Sequence, residues 1–211
     1  DNKAADPVAN AIYASAGNEP DGVIDVHMIR ADTAMKARFR RYVHDSPLIR
    51  LEGFDPDTTP YPSAPEGTPP PDGLSMDAEY AFYPAETDCV RLTIRYRGDS
   101  TVYFGTDYTV CRFQNGRWET LPGADAWNSL LIGIGRPQFP VPGDARQTKE
   151  YAYGFTARLA PRIYPSVYAR YRICKNVYME NPRRDYLLTA DFTVTPFVPF
   201  TRFPEQTGDN N

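Results

Sequence analysis

Side chains along the second half of the chain alternate. Between Cys89 and Tyr96, Val90, Leu92, Ile94 and Tyr96 take one parity while Arg91, Thr93 and Arg95 take the other. This period of two marks a strand buried on one face only. Gly98-Asp99 supplies a turn, Val102-Tyr103-Phe104 resumes the pattern, and Tyr108 to Phe113 carries it on. Gln114-Asn115-Gly116-Arg117 is a hairpin signal, because Asn-Gly accepts the positive φ angles of a type I′ turn. Further strands are predicted over Lys149 to Phe155, Tyr168 to Tyr178 and Tyr186 to Val194. The stretch 122–147 is Gly- and Pro-rich and less regular. Strands broken by turns about every ten residues, with no long helix between them, predict a mainly β, antiparallel β-sandwich.

The first quarter reads differently. Residues 1–21 are polar and Ala-rich, and predict an N-terminal tether. Residues 22–52 predict a small β-α-β extension. Ile24, Val26 and Met28 oppose Asp25 and His27 along a strand. Asp32 is placed to cap a helix to about His44 that aligns Met35, Phe39 and Val43. Leu48 to Leu51 forms a second short strand. Residues 53–73 hold Pro56, Pro60, Pro62, Pro65, Pro69, Pro70 and Pro71. That density excludes helix and central strand, leaving a semi-rigid linker or a long surface loop. The sandwich is assigned to 74–196 and a C-terminal tail to 197–211.

Charge removes one class of function. Lys and Arg number 23 against 27 Asp and Glu, a net −4, so no global field draws in nucleic acid. Leu130-Leu131-Ile132 is far short of the ~20 residues a membrane helix needs. The opening Asp1-Asn2-Lys3-Ala4 lacks Met and reads as a mature or trimmed product.

Chemistry-bearing clusters are sparse. Cys89, Cys111 and Cys174 are widely spaced, without Cys-x-x-Cys, and only His27 and His44 could supplement them, so no metal site is expected. Cys89 and Cys174 fall on the polar parity of their strands. A disulfide joins them if those strands are adjacent and in register; otherwise the thiols stay free. Asp25, His27, His44 and Asp45 are the one grouping that hints at acid–base work, but a His–carboxylate pair without a nucleophile is not a mechanism. Arg97-Gly98-Asp99-Ser100 is read as a turn. Tyr171 has the spacing of a sandwich's tyrosine corner, and Trp118, just past the hairpin, is expected to fill the space between sheets. No catalytic residue and no cofactor is expected. Lys36, Arg38, Arg40 and Arg41 form a basic helix face within a basic stretch from Arg30 to Arg50, read as solvated, with anionic lipid headgroups or acidic glycans as the alternative contact. Tyr151, Tyr153, Tyr164, Tyr168 and Tyr178 with Trp127 could line a glycan-stacking surface, and Trp127, Tyr164 and Tyr168 are the binding candidates retained.

A resemblance rests on an ordered series of motifs. It comprises Val90-Arg91-Leu92-Thr93-Ile94, the turn Gly98-Asp99-Ser100, Val102 to Tyr108, the hairpin Phe113 to Trp118, Tyr171-Arg172-Ile173-Cys174-Lys175 and Ala190 to Val194. Over about residues 83–194 the chain resembles bacterial immunoglobulin-like domains of envelope and secreted proteins. It departs from them before Tyr171, where Pro165 leads into Ser166-Val167-Tyr168 in place of Pro-Gly. The resemblance implies an immunoglobulin-like sandwich and a non-catalytic structural or interaction module with an unknown protein or glycan partner. It also implies a cell-envelope or extracellular location, as an outer-membrane lipoprotein of the Bacteroidota type or a periplasmic protein. A lipid-bearing Cys ahead of Asp1 would anchor such a protein. The rival readings are a carbohydrate-binding accessory protein using exposed aromatics, and an enzyme or inhibitor with a pocket near His27 and 122–147.

Overall fold

The computed structural model describes residues 12–18, 22–85, 87–123, 132–135, 150–159 and 168–195. The first unit comprises β1 (Ile12–Asn18), β2 (Val23–Arg30), α1 (Thr33–Tyr42) and β3 (Ile49–Phe54). Its sheet has the order β1-β2-β3, with β1 antiparallel and β3 parallel to β2. Part of the expected tether is therefore a strand. Ile12 to Asn18 is rich in Ala, Ser and Gly, whose weak strand preference hid a segment that β2 holds in register. The Asp32 carboxylate accepts the Met35 N–H as the predicted cap, and Met35 and Phe39 are buried beneath the helix. Val43, the third expected apolar position, falls at the C-cap and is exposed. Val26, Met28, Ala31, Met35 and Phe39 form a core of their own.

The sandwich contains β4 (Leu74–Ala78), β5 (Phe82–Pro84), β6 (Cys89–Arg97), β7 (Thr101–Phe104), β8 (Thr109–Gln114) and β9 (Arg117–Thr120). It continues through β10 (Ile132–Gly135), β11 (Glu150–Arg158), β12 (Ala169–Met179) and β13 (Arg184–Thr195). One sheet has the order β11-β6-β4. The other runs β10-β7-β12-β13-β5, with β8 also on β12 and β9 on β8. Val90, Leu92 and Ile94 are fully buried, in one interior with Val110, Tyr171, Ile173, Leu188 and Phe192 of the opposite sheet. The mainly β, antiparallel sandwich read from alternation is the fold.

Turn chemistry fixes the hairpins. Asn115 and Gly116 take φ of 53° and 77°, the left-handed pair a type I′ turn requires. At Arg97-Gly98-Asp99-Ser100, the Tyr96 hydroxyl accepts the Ser100 N–H at 3.0 Å. A Cβ at Gly98 would run into that hydroxyl, so these residues serve the turn.

The Pro-rich belt is docked against the sandwich. Ser63 bridges to Glu119, Thr120 N–H donates to the Pro62 carbonyl and Leu187 N–H to that of Thr68. Proline's missing donors suit it to a strap that accepts hydrogen bonds from a sheet edge.

Strands β7 and β8 are one strand, broken. Both lie along β12, but four steps of β12 from Cys174 to Tyr178 face six from Thr109 back to Tyr103. Two extra residues bulge out of the ladder. Into that bulge points Lys175, on the interior parity of β12 and 2% exposed. Its ammonium donates to the carbonyls of Gly105 and Asp107 at 2.8 and 2.6 Å, between the rings of Phe104 and Phe155. Burial pushes its pKa down from the ordinary lysine value, opposed by the Asp107 charge.

Candidate functional site

Alternation that buries one face of β8, β9, β12 and β13 must present the other. Residues on that outer face form cross-strand rows. In the first, Trp118 of β9 pairs with Phe113 of β8, and Arg170 of β12 lies beside Phe113 with its guanidinium 5.4 Å from the ring. Arg170 pairs with Thr193 of β13, and Thr193 with Phe82 of β5. The second row runs Thr120, Cys111, Arg172, Asp191.

The two rows interlock through Arg172. Its guanidinium donates to both oxygens of Asp191, at 2.6 and 2.9 Å, and lies 4.2 Å from the centroid of the Trp118 ring. A bidentate carboxylate fixes the fork, and the ring's negative face attracts its charge. Phe113 meets Trp118 edge to face, centroids 5.2 Å apart. The result is a rigid platform of two rings and one immobilised guanidinium. Beside it Arg170 is more than half exposed, Phe82 is 38% exposed and Tyr168 is 58% exposed.

Trp118 therefore does not fill the space between sheets. Its parity with Phe113 sets it outside, while Glu119 and Arg112 take the inner parity with Tyr171 and Phe192. That pair closes the sandwich's end: Glu119 lies 3.7 Å from Arg112 and 3.1 Å from Arg117, and Tyr61 of the belt stacks under the Arg112 guanidinium. Tyr171 is fully buried and stacks on Phe192.

The retained binding candidates part company. Tyr168 stands two residues before Arg170, at the platform's border, whereas Trp127 and Tyr164 lie outside the described residues. Tyr151 and Tyr153 pack partly buried against the core. Tyr178 does face outward, 6.4 Å from Tyr103, and Gly133 of β10 leaves room for the Tyr103 ring.

Cys89 and Cys174 do not meet. Cys89 is exposed on β6, in the other sheet. Cys174 is buried despite its polar parity, and its sulfur stands 3.9 Å from that of Cys111. In the first unit, His27 lies 3.7 Å from Glu52 and Asp25 3.5 Å from Arg50, cross-strand polar contacts on one sheet face. No group of three or more His, Cys, Asp or Glu that could hold a metal occurs among the described residues. No helix among them is long and apolar enough to cross a membrane.

No curated protein matches the chain. Among solved structures, the crystal structure of the periplasmic chaperone SfaE aligns at 13% identity with a TM-score of 0.34, over 64% of this chain and 61% of that one. The chain thus spans about three fifths of that neighbour's length. Residues 70–138 match the family described as bacterial Ig-like domain. The matched stretch runs from β4 through β10 and includes the Trp118 hairpin, while β11, β12 and β13 lie beyond it. Strand order, shared core and family match together support a bacterial Ig-like domain built as a β-sandwich.

Proposed function

We propose that this chain is a non-catalytic interaction module of the bacterial cell envelope or of a secreted protein, and that it meets a protein partner through the outer face of β9, β8, β12 and β13. One observation carries this reading: Trp118 and Arg172 are locked together beside exposed Arg170, Tyr168 and Phe82. Trp, Tyr and Arg dominate the energetics of protein interfaces, and side chains already held in one geometry lose little entropy on binding. Envelope location, with or without an N-terminal lipid anchor, is proposed on the motif resemblance over about residues 83–194.

Photo-crosslinking in bacterial cells tests the proposal. A photoreactive phenylalanine at position 170 or 82 is expected to trap a discrete partner, and Trp118→Ala to abolish the trapped species. The same probe at position 91, on the outer face of the opposite sheet, is expected to trap none. Equal crosslinking from both faces would overturn it.

A carbohydrate-binding reading draws on the outward Tyr103–Tyr178 pair, since paired rings stack on sugar faces. Glycan-array binding that disappears in Tyr178→Ala and survives in Trp118→Ala would favour it.

A further inference from the structure

Beside the Arg172–Asp191 pair, the same face holds two thiols that no strand taken singly brings together. Cys111 and Cys174 are both buried and 63 residues apart in sequence. The register sets Arg172 opposite Cys111 and Thr109 opposite Cys174, so the two cysteines are diagonal neighbours on adjacent strands. Their sulfurs are 3.9 Å apart; diagonal neighbours stand ~7–8 Å apart along the backbone, so reaching the ~2.05 Å of a disulfide takes a shift of β8 against β12 as well as side-chain rotation. Neither alternative pairing is within reach. Cys89 faces outward from the β11-β6-β4 sheet and the other two lie on the outer face of the opposing sheet, so the whole sandwich separates them. Packed sheets stand ~10 Å apart before outward side chains are counted.

We propose that Cys111 and Cys174 are a disulfide pair, closed as the protein folds in an oxidising compartment, with Cys89 left as the odd thiol. This rests on the envelope or secreted location proposed above and is independent of which face meets a partner. Both thiols are buried once the strands have closed, so the exchange takes place as the chain folds, while they can still be reached. One cysteine, as its thiolate, displaces one thiolate from a disulfide oxidant, such as a thiol–disulfide oxidoreductase or oxidised glutathione, forming a mixed disulfide. The other then gives up its proton, attacks the first cysteine's sulfur and expels the second thiolate. Two protein thiols lose two electrons and two protons, and the oxidant's disulfide is reduced to two thiols. The product ties β8 to β12 beside Arg172, fixing the two strands that carry the platform.

The test uses the full chain, as wild type and as Cys89→Ala, refolded from the reduced, denatured state in a glutathione redox buffer. Thiols are then alkylated under denaturing conditions and the protein is read by intact mass and peptide mapping. The expected Cys89→Ala product is two hydrogens lighter, carries no alkyl group, and yields one linked pair of peptides containing Cys111 and Cys174. Reduction is expected to lower its Tm by about 10 °C, given the long loop the bond closes. Full alkylation of Cys111 and Cys174 in refolded protein would overturn the proposal. So would wild-type maps dominated by links through Cys89, and those maps decide the matter if the variant folds poorly.

Discussion

The two sheets of the sandwich share one interior and present opposite characters to the outside. Outward from β4, β6 and β11 come Ser75, Asp77, Arg91, Arg95, Ala152, Gly154 and Thr156, all exposed. These are short or charged side chains, joined only by exposed contacts such as Ser75 with Asp77 and Arg95 with Glu150. Outward from β8, β9, β12 and β13 come Phe113, Trp118, Arg172 and Asp191, half-buried in one another. Period-two alternation demands only that one parity be apolar, and both sheets satisfy it. It places no demand on the other parity. A solvated outer face is what a sandwich needs to stay soluble, and a self-packed one of rings and guanidinium groups exceeds that need. The contrast is why binding is assigned to the second face.

The largest expected effect tests the interior that the faces share. Leu92 is fully buried, so Leu92→Ala should cost about 3 kcal/mol through lost burial and the cavity left behind. Arg91, its neighbour, has a side chain 70% exposed and 3.9 Å from Glu79, and Arg91→Ala should change stability by no more than about 0.5 kcal/mol. Urea unfolding of both variants reads the difference. Similar costs at the two positions would break the inside–outside assignment.

That assignment was the most legible part of the sequence, and its failures have physical causes. Val90, Leu92, Ile94 and Tyr96 alternate within one segment, so local pattern sufficed. The Asn115-Gly116 turn and the Asp32 cap were equally local. Lys175 was not legible as a buried cation, because its acceptors come from a bulge about 70 residues away. Trp118 was assigned inward because a large aromatic after a tight turn is usually core. Its true side was set by Phe113 across the hairpin, with Arg112 unexpectedly on the inner parity. The Cys111–Cys174 approach depends on the register of β8 against β12, which no single segment encodes. Of the binding candidates, Tyr168 stands at the border of the proposed face, and the centre of that face is not legible in any single segment.

A smaller effect sharpens the contrast between faces. The Trp118–Arg172 contact is partly desolvated and held by Asp191, so a double-mutant cycle over Trp118→Ala and Arg172→Ala should return a coupling of about 1 kcal/mol. The coupling should survive 0.5 M salt, because packing as well as charge sustains it. The matching cycle over Arg97 and Glu150, the closest charge pair on the other face, should lose most of its smaller coupling at that salt. Unfolding in urea at low and high salt measures both. A platform coupling as salt-sensitive as the Arg97–Glu150 pair would remove the grounds for treating the two faces differently.

The smallest effect comes from that exposed pair alone, and its sign is fixed by linkage. Glu150 accepts two hydrogen bonds from Arg97, at 2.9 and 2.6 Å, and a third from Arg95 at 3.4 Å. The Arg97 hydrogen bonds hold its carboxyl below the ordinary value of 4.5, with the Arg97 and Arg95 charges adding to them. The folded state therefore binds this proton less readily than the unfolded chain does. Its contribution is fully present above pH 4.5 and is lost as pH falls through the lowered folded value. Because the pair is solvated, Glu150→Gln should lower Tm by only about 1 °C at neutral pH and low salt. The gap between wild type and variant should close as pH falls below 4.5. It should close at neutral pH too when salt is raised, as expected for a face where each charge is answered mainly by water. A gap that widened toward low pH would mean that Glu150 is stabilised in its protonated form, reversing the electrostatic account of that sheet.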